Sequence, residues 1–517
     1  MGLVGFSIEK YESDGLKASG SGFPDDQVLT NLNSAAKKNS ISSSYSSNTL
    51  ASFLSRLEYK FNNRYLLTLN FRADGSSQFG PDKRWGYFPS GAVAWIITEE
   101  NFMKDYSNIV SYLKLRGSVG KTGSQNLGAY DWRTLMGSAT YNGAAGIVPS
   151  SLGNDILQWE EQIQKEVGLD YGFWDDRIRG TLGYYQKKVD NLLYSDPVPT
   201  SSSFSSVYQN IGSLKNRGIE FDVRVDIIKN VQKDLTWNVD FNIARNRTTL
   251  EKLNSSDGYF GGGAYDYFKI EEGGETGRFY GYKDAGRLFM TNEELVGLKT
   301  VDPKTGTLKY YRDDYNYERQ GDVYIMDLDG DGQITADGDR TVIGNANPDF
   351  FGGFGSTLYW KGLMLNAVFS YSVGGDRFWD EEKNSSGDMN VYNTSNRILD
   401  SWTVNPGVNA SYPRAMYYGW GSNSIITDRY IHDASYLRMT ALNLSYRLPK
   451  HLYKNSILNA VEFTFQATNL FTWTKYPGMD PQGNFSTTYS AFYNMGIDYS
   501  TYPSARTYNF GIKLTLK

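Results

Sequence analysis

The stretch GIEFDVRVDIIKN (residues 218–230) alternates apolar and polar side chains along most of its length. Every second position is apolar, and these positions are Ile219, Phe221, Val223, Val225 and Ile227. The positions between them are charged: Glu220, Asp222, Arg224 and Asp226. Because successive side chains of a β-strand point to opposite faces, this spacing predicts a strand with one apolar face and one charged face.

The same alternation recurs along the chain, in about 13 or 14 segments. LTWNVDFNIARN (235–246) is a second clear case, and FLSRLEYKF, RYLLTLNFRADG, YLKLRGSVG, VEFTFQATNLF and RTYNFGIKLTLK are others. Tight turns join some segments, at Asn62-Asn63 and at Trp360-Lys361-Gly362. Polar insertions rich in Gly, Ser, Asn and Asp separate others, and the longest of them are 121–155, 250–349 and 374–428.

Two fold classes produce such alternation, and strand length favours one of them. Strands of β-sandwiches usually have about 5–6 residues. Strands of about 10 residues, with short turns at one end and long polar loops at the other, are typical of an outer-membrane barrel. The sequence therefore predicts an all-β, transmembrane antiparallel β-barrel whose apolar face contacts lipid, with a protein of several sandwiches as the alternative. Aromatic residues near strand ends would form the interfacial girdles: Tyr59, Trp95, Tyr184, Trp237, Tyr371 and Trp473.

The composition excludes several functional classes. The 517-residue chain has a formal net charge of −5, 40 Tyr, 27 Phe, 11 Trp and no Cys. Without cysteine there is no disulfide framework and no thiolate metal site. The mild acidity, with no basic run, argues against a nucleic-acid partner.

The adjacent carboxylates Glu160 and Glu161 are expected to be solvated charges, so no catalytic residue and no enzyme activity are predicted.

Several phrases resemble one family, the SusC/RagA-type TonB-dependent transporters of Bacteroidetes outer membranes. They appear in the family's order: FRADGSSQFGPDKRWGYFPSGAVAWIITEENFMK (71–104), LKLRGSVGKTGSQNLGAY (113–130), GRFYGYKDAGRL (277–288), DLDGDGQITADGDRTVIGNANPDFFGGF (327–354), SYLRMTALNLSYRLP (435–449) and ATNLFTWTKYPGMDP (467–481). The resemblance covers most of residues 50–517.

The resemblance implies a chain about twice this long, with a plug domain inside a barrel of 22 strands. About 13 or 14 strands cannot close such a barrel, and unpaired strand edges inside a bilayer are costly. We therefore expect residues 1–517 to be the C-terminal part of the barrel, with long extracellular loops near 121–155, 250–349 and 374–428. The plug domain and the N-terminal strands are expected to come from outside this chain. A smaller closed pore is the alternative.

The resemblance also implies a function, namely TonB-dependent import of a nutrient across the outer membrane. Family members carry oligosaccharides or peptides, and a SusD-like surface lipoprotein covers the extracellular mouth. The TonB complex would act through the N-terminal part that this chain lacks. A scaffold subunit of an outer-membrane assembly, without transport, is an alternative from another class. A soluble, calcium-stabilised β-protein that binds glycans is a third.

The acidic stretch DLDGDGQITADGD (327–339) predicts a structural calcium loop. Its first residues match the spacing of oxygen ligands in an EF-hand loop, but Gly338 stands where that loop carries a bidentate Glu. Hard oxygen ligands favour Ca²⁺ over zinc or copper. The predicted ligands are Asp327, Asp329, Asp331, Gln333, Asp337 and Asp339. The alternative is a solvated Asp-Gly turn without a cation.

Aromatic residues cluster in the loop-like stretch RAMYYGWGS (414–422). Tyr417, Tyr418 and Trp420 could stack on sugar rings or hold apolar peptide side chains, which makes them candidate substrate-binding residues. Packing against a partner lid or against neighbouring loops is the alternative role for them.

Overall fold

Fourteen long strands form a single antiparallel sheet in a computed structural model of the chain. The structure describes residues 1–230, 232–254, 267–289, 320–385, 394–402, 410–415, 423, 425–454, 457–484, 495–499 and 501–516, and the backbone alone of 259–261, 300–301, 308–309 and 386–387. The strands of this sheet, called the wall, are β1 (Gly2–Ser21), β2 (Lys37–Phe61), β3 (Tyr65–Ser76), β4 (Trp85–Ile96), β5 (Val110–Ser124), β8 (Glu160–Phe173), β9 (Ile178–Asp190), β12 (Ser213–Asn230), β13 (Leu235–Lys252), β22 (Phe350–Trp360), β23 (Leu363–Val373), β26 (Tyr436–Arg447), β27 (Leu458–Thr474) and β29 (Thr507–Leu516).

Each wall strand pairs with the next wall strand in the chain, so the wall is a meander. Short turns join the strands at one end. The predicted turns lie there, where Asn62 and Asn63 have φ of 48° and 56° and Lys361 has φ of 47°. Left-handed backbone of this kind suits tight hairpin turns, and Asn tolerates it better than most residues.

Long connections join the strands at the other end of the wall. The three long insertions correspond to the connections 125–159, 253–349 and 374–435, and a fourth long connection spans 475–506. Short strands lie within these and one further connection: β6 (Leu135–Tyr141), β7 (Ala144–Ser151), β10 (Leu193–Pro197), β11 (Ser206–Asn210), β14 (Tyr259–Gly261), β15 (Lys269–Glu271), β16 (Arg278–Tyr282), β17 (Asp284–Leu288), β18 (Thr300–Val301), β19 (Leu308–Lys309), β20 (Val323–Ile325), β21 (Arg340–Asn345), β24 (Asp376–Trp379), β25 (Ile431–Asp433) and β28 (Ile497–Asp498).

The helical elements among the described residues are all short. An α-helix spans Asp380–Glu382 and is followed by a π-turn at Lys383–Gly387. The described 3₁₀ segments are Leu32–Ser34, Pro81–Lys83, Ile97–Glu99, Asn101–Tyr106, Thr200–Ser202, Asn396–Asp400, Asp428–Tyr430 and Lys450–Tyr453. None of the helices in the described part of the chain has the length and apolar character that crossing a membrane requires.

The apolar face of the wall is exposed rather than packed against a second sheet. Ile219 on β12 is 53% exposed, and Val167 on β8 is 57% exposed. The buried apolar clusters consist mainly of residues in the long connections, not of the alternating wall rows. A sandwich would bury these rows against each other, so the prediction of a barrel wall is confirmed over the sandwich alternative.

The two outermost strands of the wall each have one partner among the described residues. β1 pairs with β2, and β29 pairs with β27. The sheet order places β1 and β29 at opposite ends, with no pairing between them in the described part of the chain. An open sheet is what we expect if this chain supplies only part of a larger barrel. That larger barrel stays a prediction.

Candidate functional site

The inner face of the wall carries charges of both signs that are paired across strands. Lys114 on β5 lies 3.1 Å from Asp170 on β8. Arg116, two residues further along β5, contacts Asp170 at 3.2 Å and also contacts Glu166. Cross-strand neighbours of opposite charge stabilise an antiparallel pair, and here they keep the inner face polar but locally neutral.

A cavity of about 520 Å³ lies against this inner face, where β5, β8, β9, β12 and β13 run side by side. Charged groups, a tyrosine and amides contribute to its lining, which includes Arg116, Glu166, Tyr185, Lys187, Asn216 and Asn246. Such a surface can exchange hydrogen bonds with a polar solute or with a polar protein surface.

The long connections fold onto one another at the end of the wall opposite the short turns. We call the described parts of 253–349, 374–435 and 475–506 the loop cap. One buried cluster joins all three connections, and it contains Phe268, Phe279, Ala346, Phe378, Ile426, Tyr430 and Ile497. A three-stranded sheet also joins the connections 374–435 and 475–506. In this sheet β24 forms an antiparallel pair with β25 and a parallel pair with β28. The loop cap therefore has its own core and its own sheet.

A buried carboxylate, Glu382, connects several parts of the loop cap. Its Oε2 lies 2.5 Å from Nε2 of His432, its Oε1 accepts a hydrogen bond from Tyr412 at 3.2 Å, and it is ion-paired with Arg397. His432 is thus a hydrogen-bonded structural residue of the loop cap. Glu382 carries no sequence signal of its own, since its partners lie 15 to 50 residues away.

A second buried ion pair attaches the loop cap to the wall. Arg438 on β26 donates to Asp480 at 2.6 Å and to Gln482 at 2.5 Å. Burial raises the pKa of Asp480, but the Gln482 N–H and the Arg438 guanidinium outweigh that effect and leave its pKa below the ordinary value. The carboxylate is thus held in its charged form.

The acidic stretch folds into a closed loop between β20 and β21. The carboxylates of Asp327, Asp329 and Asp339 converge, with one oxygen from each lying within 4.8 Å of the others. Backbone N–H groups orient them: Gly330 and Gly332 donate to Asp327, while Leu328 and Thr335 donate to Asp339 at 2.7 Å.

The remaining predicted ligands lie outside this group of three carboxylates. Asp331 and Asp337 are exposed, and the Asp331 carboxylate accepts from the N–H of Gln333 at 2.7 Å. The side chain of Gln333 is buried.

Electrostatics favours a cation among the three converging carboxylates. The N–H of Asp331 lowers the pKa of Asp329, but desolvation and the nearby charges of Asp331 and Asp339 outweigh it and raise that pKa overall. Carboxylates crowded in this way are stabilised by a positive ion. The donor set is entirely oxygen, which fits Ca²⁺.

A family comparison agrees with the geometry of the wall. The model described as "TonB dependent receptor-like, beta-barrel" matches residues 9–470. The chain belongs to the TonB-dependent receptor β-barrel family. Proteins of this family lie in the outer membrane, so the apolar face of the wall contacts lipid.

Curated relatives within the family include SusC itself. TonB-dependent receptor P3 of Formosa agariphila is 32% identical over 535 residues, which cover 99% of this chain and 50% of the relative. TonB-dependent receptor SusC of Bacteroides thetaiotaomicron is 32% identical over 483 residues, covering 90% of this chain and 44% of the relative. The chain thus spans about half the length of the curated relatives it matches. Both relatives are named TonB-dependent receptors.

A solved structure agrees with the wall and its connections together. The RagAB peptide transporter superposes with a TM-score of 0.79 at 27% identity, covering 99% of this chain and 53% of the transporter chain. The resemblance to SusC/RagA-type proteins is therefore confirmed.

The predicted aromatic substrate-binding residues Tyr417, Tyr418 and Trp420 lie outside the described residues. Their candidacy stays a prediction.

Proposed function

We propose that this chain forms most of the wall and the extracellular cap of an outer-membrane importer. The importer takes up an oligomeric nutrient, an oligosaccharide or a peptide, with energy supplied through TonB. The observation that carries the proposal is the division of the wall into a lipid-facing apolar face and an ion-paired polar face. The relatives named TonB-dependent receptor and the RagAB peptide transporter support it.

The partners of the importer belong to the same proposal. A SusD-like surface lipoprotein would cover the end of the wall that carries the long connections. The folded loop cap supplies the surface against which the lipoprotein would lie. The plug and the remaining strands would be contributed by the N-terminal part of the same transporter, through which TonB acts. The long connections would face the outside of the cell.

Uptake measurements test the proposal directly. The gene for the full-length protein is deleted, and growth is compared on oligosaccharides, on peptides and on their monomers. We expect growth to be lost on one class of oligomer and kept on its monomer. Restored growth is expected from the wild-type gene but not from a version without its TonB-contacting segment. Growth restored equally by both versions would instead support the scaffold alternative.

We propose in addition that the loop at 327–339 binds a structural Ca²⁺. Asp327, Asp329 and Asp339 would hold the ion, with Asp331, Asp337 and the Gln333 carbonyl as the further oxygen ligands within reach of the loop. Bound calcium would neutralise the crowded carboxylates. Ile334 in this loop is 2% exposed and packs in the cluster with Leu288 and Phe289, so the ion would support the core of the loop cap.

Hydrogen exchange with and without calcium tests this second proposal. At a free concentration about 100-fold above Kd, the ion should stabilise the loop by about 2.7 kcal/mol. We expect Asp329→Asn to abolish this protection. Asp349→Asn is the control, because its carboxylate is 71% exposed and lies outside the loop 327–339. Equal protection in chelator and in calcium would refute the site.

A further inference from the structure

One connection at the short-turn end of the wall differs from its neighbours. Residues 97–109, called the rim segment, link β4 to β5 through two 3₁₀ segments, Ile97–Glu99 and Asn101–Tyr106. The links on either side of it, 62–64 and 174–177, are much shorter, while the link after β26 also carries a 3₁₀ segment, Lys450–Tyr453. In barrels of this family the short-turn end faces the periplasm.

The carboxylate of Glu100 fixes the direction in which the rim segment leaves the wall. Its Oε1 accepts hydrogen bonds from the Tyr65 hydroxyl at 2.6 Å and from the Trp95 indole N–H at 3.1 Å. Its Oε2 accepts from Arg64 at 2.9 Å. Three donors, from β3, from β4 and from the turn before β3, thus converge on one side chain that is 12% exposed.

Tyr65 and Trp95 lie on the lipid-facing side of the wall. They are directly opposite each other in the β3–β4 pairing. Tyr65 shares its face with Leu69, which is 44% exposed, and Trp95 shares its face with Val93, which is 59% exposed. Because Glu100 is bonded to these outward-facing rings, the rim segment folds over the outer rim and not into the lumen.

The rim segment leaves large apolar groups uncovered at this position. Phe102 is 59% exposed, Tyr106 is 57% exposed and Ile109 is 50% exposed. Lys104 lies between them and is also exposed. Aromatic rings beside a lysine are the residues that settle at a bilayer surface, with rings at headgroup level and the amine near phosphates.

We propose that the rim segment is an interfacial anchor, seated in the periplasmic leaflet of the outer membrane and positioned there by Glu100. Its partner is the phospholipid surface. The exposed rings extend the lipid-contacting face that includes Tyr65 and Val93. The membrane, rather than another protein, is therefore the surface that covers the rim segment. The anchor would set the depth at which the barrel lies in the outer membrane.

Spin labelling tests the anchor, and this chain contains no cysteine of its own. The full-length transporter, with any cysteine elsewhere replaced by serine, is labelled at Phe102→Cys or Tyr106→Cys and reconstituted in phospholipid vesicles. Val93→Cys serves as the lipid-facing reference. Tyr141→Cys serves as the water-facing reference, because Tyr141 is 88% exposed at a hairpin tip.

Collision accessibility to oxygen and to a water-soluble nickel chelate gives the readout. We expect the chelate to reach positions 102 and 106 several-fold less than position 141, while oxygen reaches them freely. Chelate accessibility equal to that at 141 would overturn the proposal by placing the segment in water. Exclusion of both reagents would overturn it too, since that result means a protein cover.

The role of Glu100 has a separate readout. We expect Glu100→Ala to raise chelate accessibility at position 102 several-fold and leave position 141 unchanged. Glu58→Ala is the control, because Glu58 forms an exposed ion pair with Arg56 on β2. An unchanged signal at 102 in the Glu100 variant would refute the positioning role.

Discussion

At the residue scale, buried charges hold the loop cap together. Asp322 is 1% exposed and accepts hydrogen bonds from Arg414 at 3.1 Å and from Asn423 at 2.8 Å. The pair of Arg438 and Asp480 connects the cap to the wall in the same way. A buried charge that loses its partner is strongly destabilising, so these pairs are the sensitive positions of the cap.

Asp480→Asn is expected to loosen the attachment of the connection 475–506. The amide leaves the Arg438 guanidinium buried without a counter-charge, at a cost of about 3–5 kcal/mol. Hydrogen exchange of residues 475–484 measures the loss. Asp349→Asn is the control, because that carboxylate is 71% exposed in its ion pair with Arg247. The same exchange in both variants would contradict this account.

Acid should act on the same carboxylate. Since the pKa of Asp480 is lowered in the folded protein, its contribution to stability is fully present above the ordinary carboxyl pKa of about 3.9. The contribution is lost as the pH falls from there through the lowered pKa. Near-ultraviolet circular dichroism during acid titration should show this step in the wild type. The step should be absent in Asp480→Asn.

At the element scale, each wall strand has two faces that tolerate different substitutions. Val167 on β8 faces lipid and is 57% exposed, whereas Gln164 on the same strand lines the inner cavity. The lipid face excludes charge because the hydrocarbon region cannot solvate it. The inner face already carries several charges, on Lys114, Arg116, Glu166 and Asp170.

Val167→Arg should therefore destabilise the barrel, by up to the about 2–4 kcal/mol that an arginine on the lipid face costs at the bilayer midplane. Gln164→Arg, the matched control three residues away, should cost much less. Urea titration of the barrel in vesicles, followed by its heat-modifiable gel migration, compares the two. A larger cost at position 164 would mean that the faces are assigned the wrong way round.

How much of an element could be predicted depends on whether its pattern is local. The period-two rows of the wall, such as 219–227, predict the strands and their faces because each strand carries its own signal. The cluster around Phe378 could not be predicted, since its members come from three connections and follow no period. The rim segment was missed as well, because two of the donors to Glu100, Arg64 and Tyr65, lie about 35 residues away at the start of β3.

The candidate metal site was predicted in part. Local spacing singled out the acidic loop, and three of its six predicted ligands converge. Spacing alone could not show which carboxylates would turn inward, because the hydrogen bonds from Leu328 and Thr335 decide the direction of Asp339.

At the scale of the whole molecule, the wall and the loop cap are stabilised by different interactions. Ladder hydrogen bonds and lipid contact hold the wall, whereas the cap has a buried core. Phe378→Ala, which removes a fully buried ring from that core, should destabilise the cap by about 3–5 kcal/mol. Hydrogen exchange should rise in β24 and β25 and stay low in β9. Tyr502→Ala, at a position 89% exposed, is the control.

The parallel pairing of β24 with β28 constrains the order in which the protein can fold. More than a hundred residues separate the two strands, and two wall strands, β26 and β27, lie between them in the chain. The cap cannot form until the segment that contains β28 has been synthesised and lies next to β24. Pairings so distant in sequence form slowly. Assembly of the wall would therefore precede closure of the cap, and the mouth of the barrel would be the last part of this chain to take its native shape.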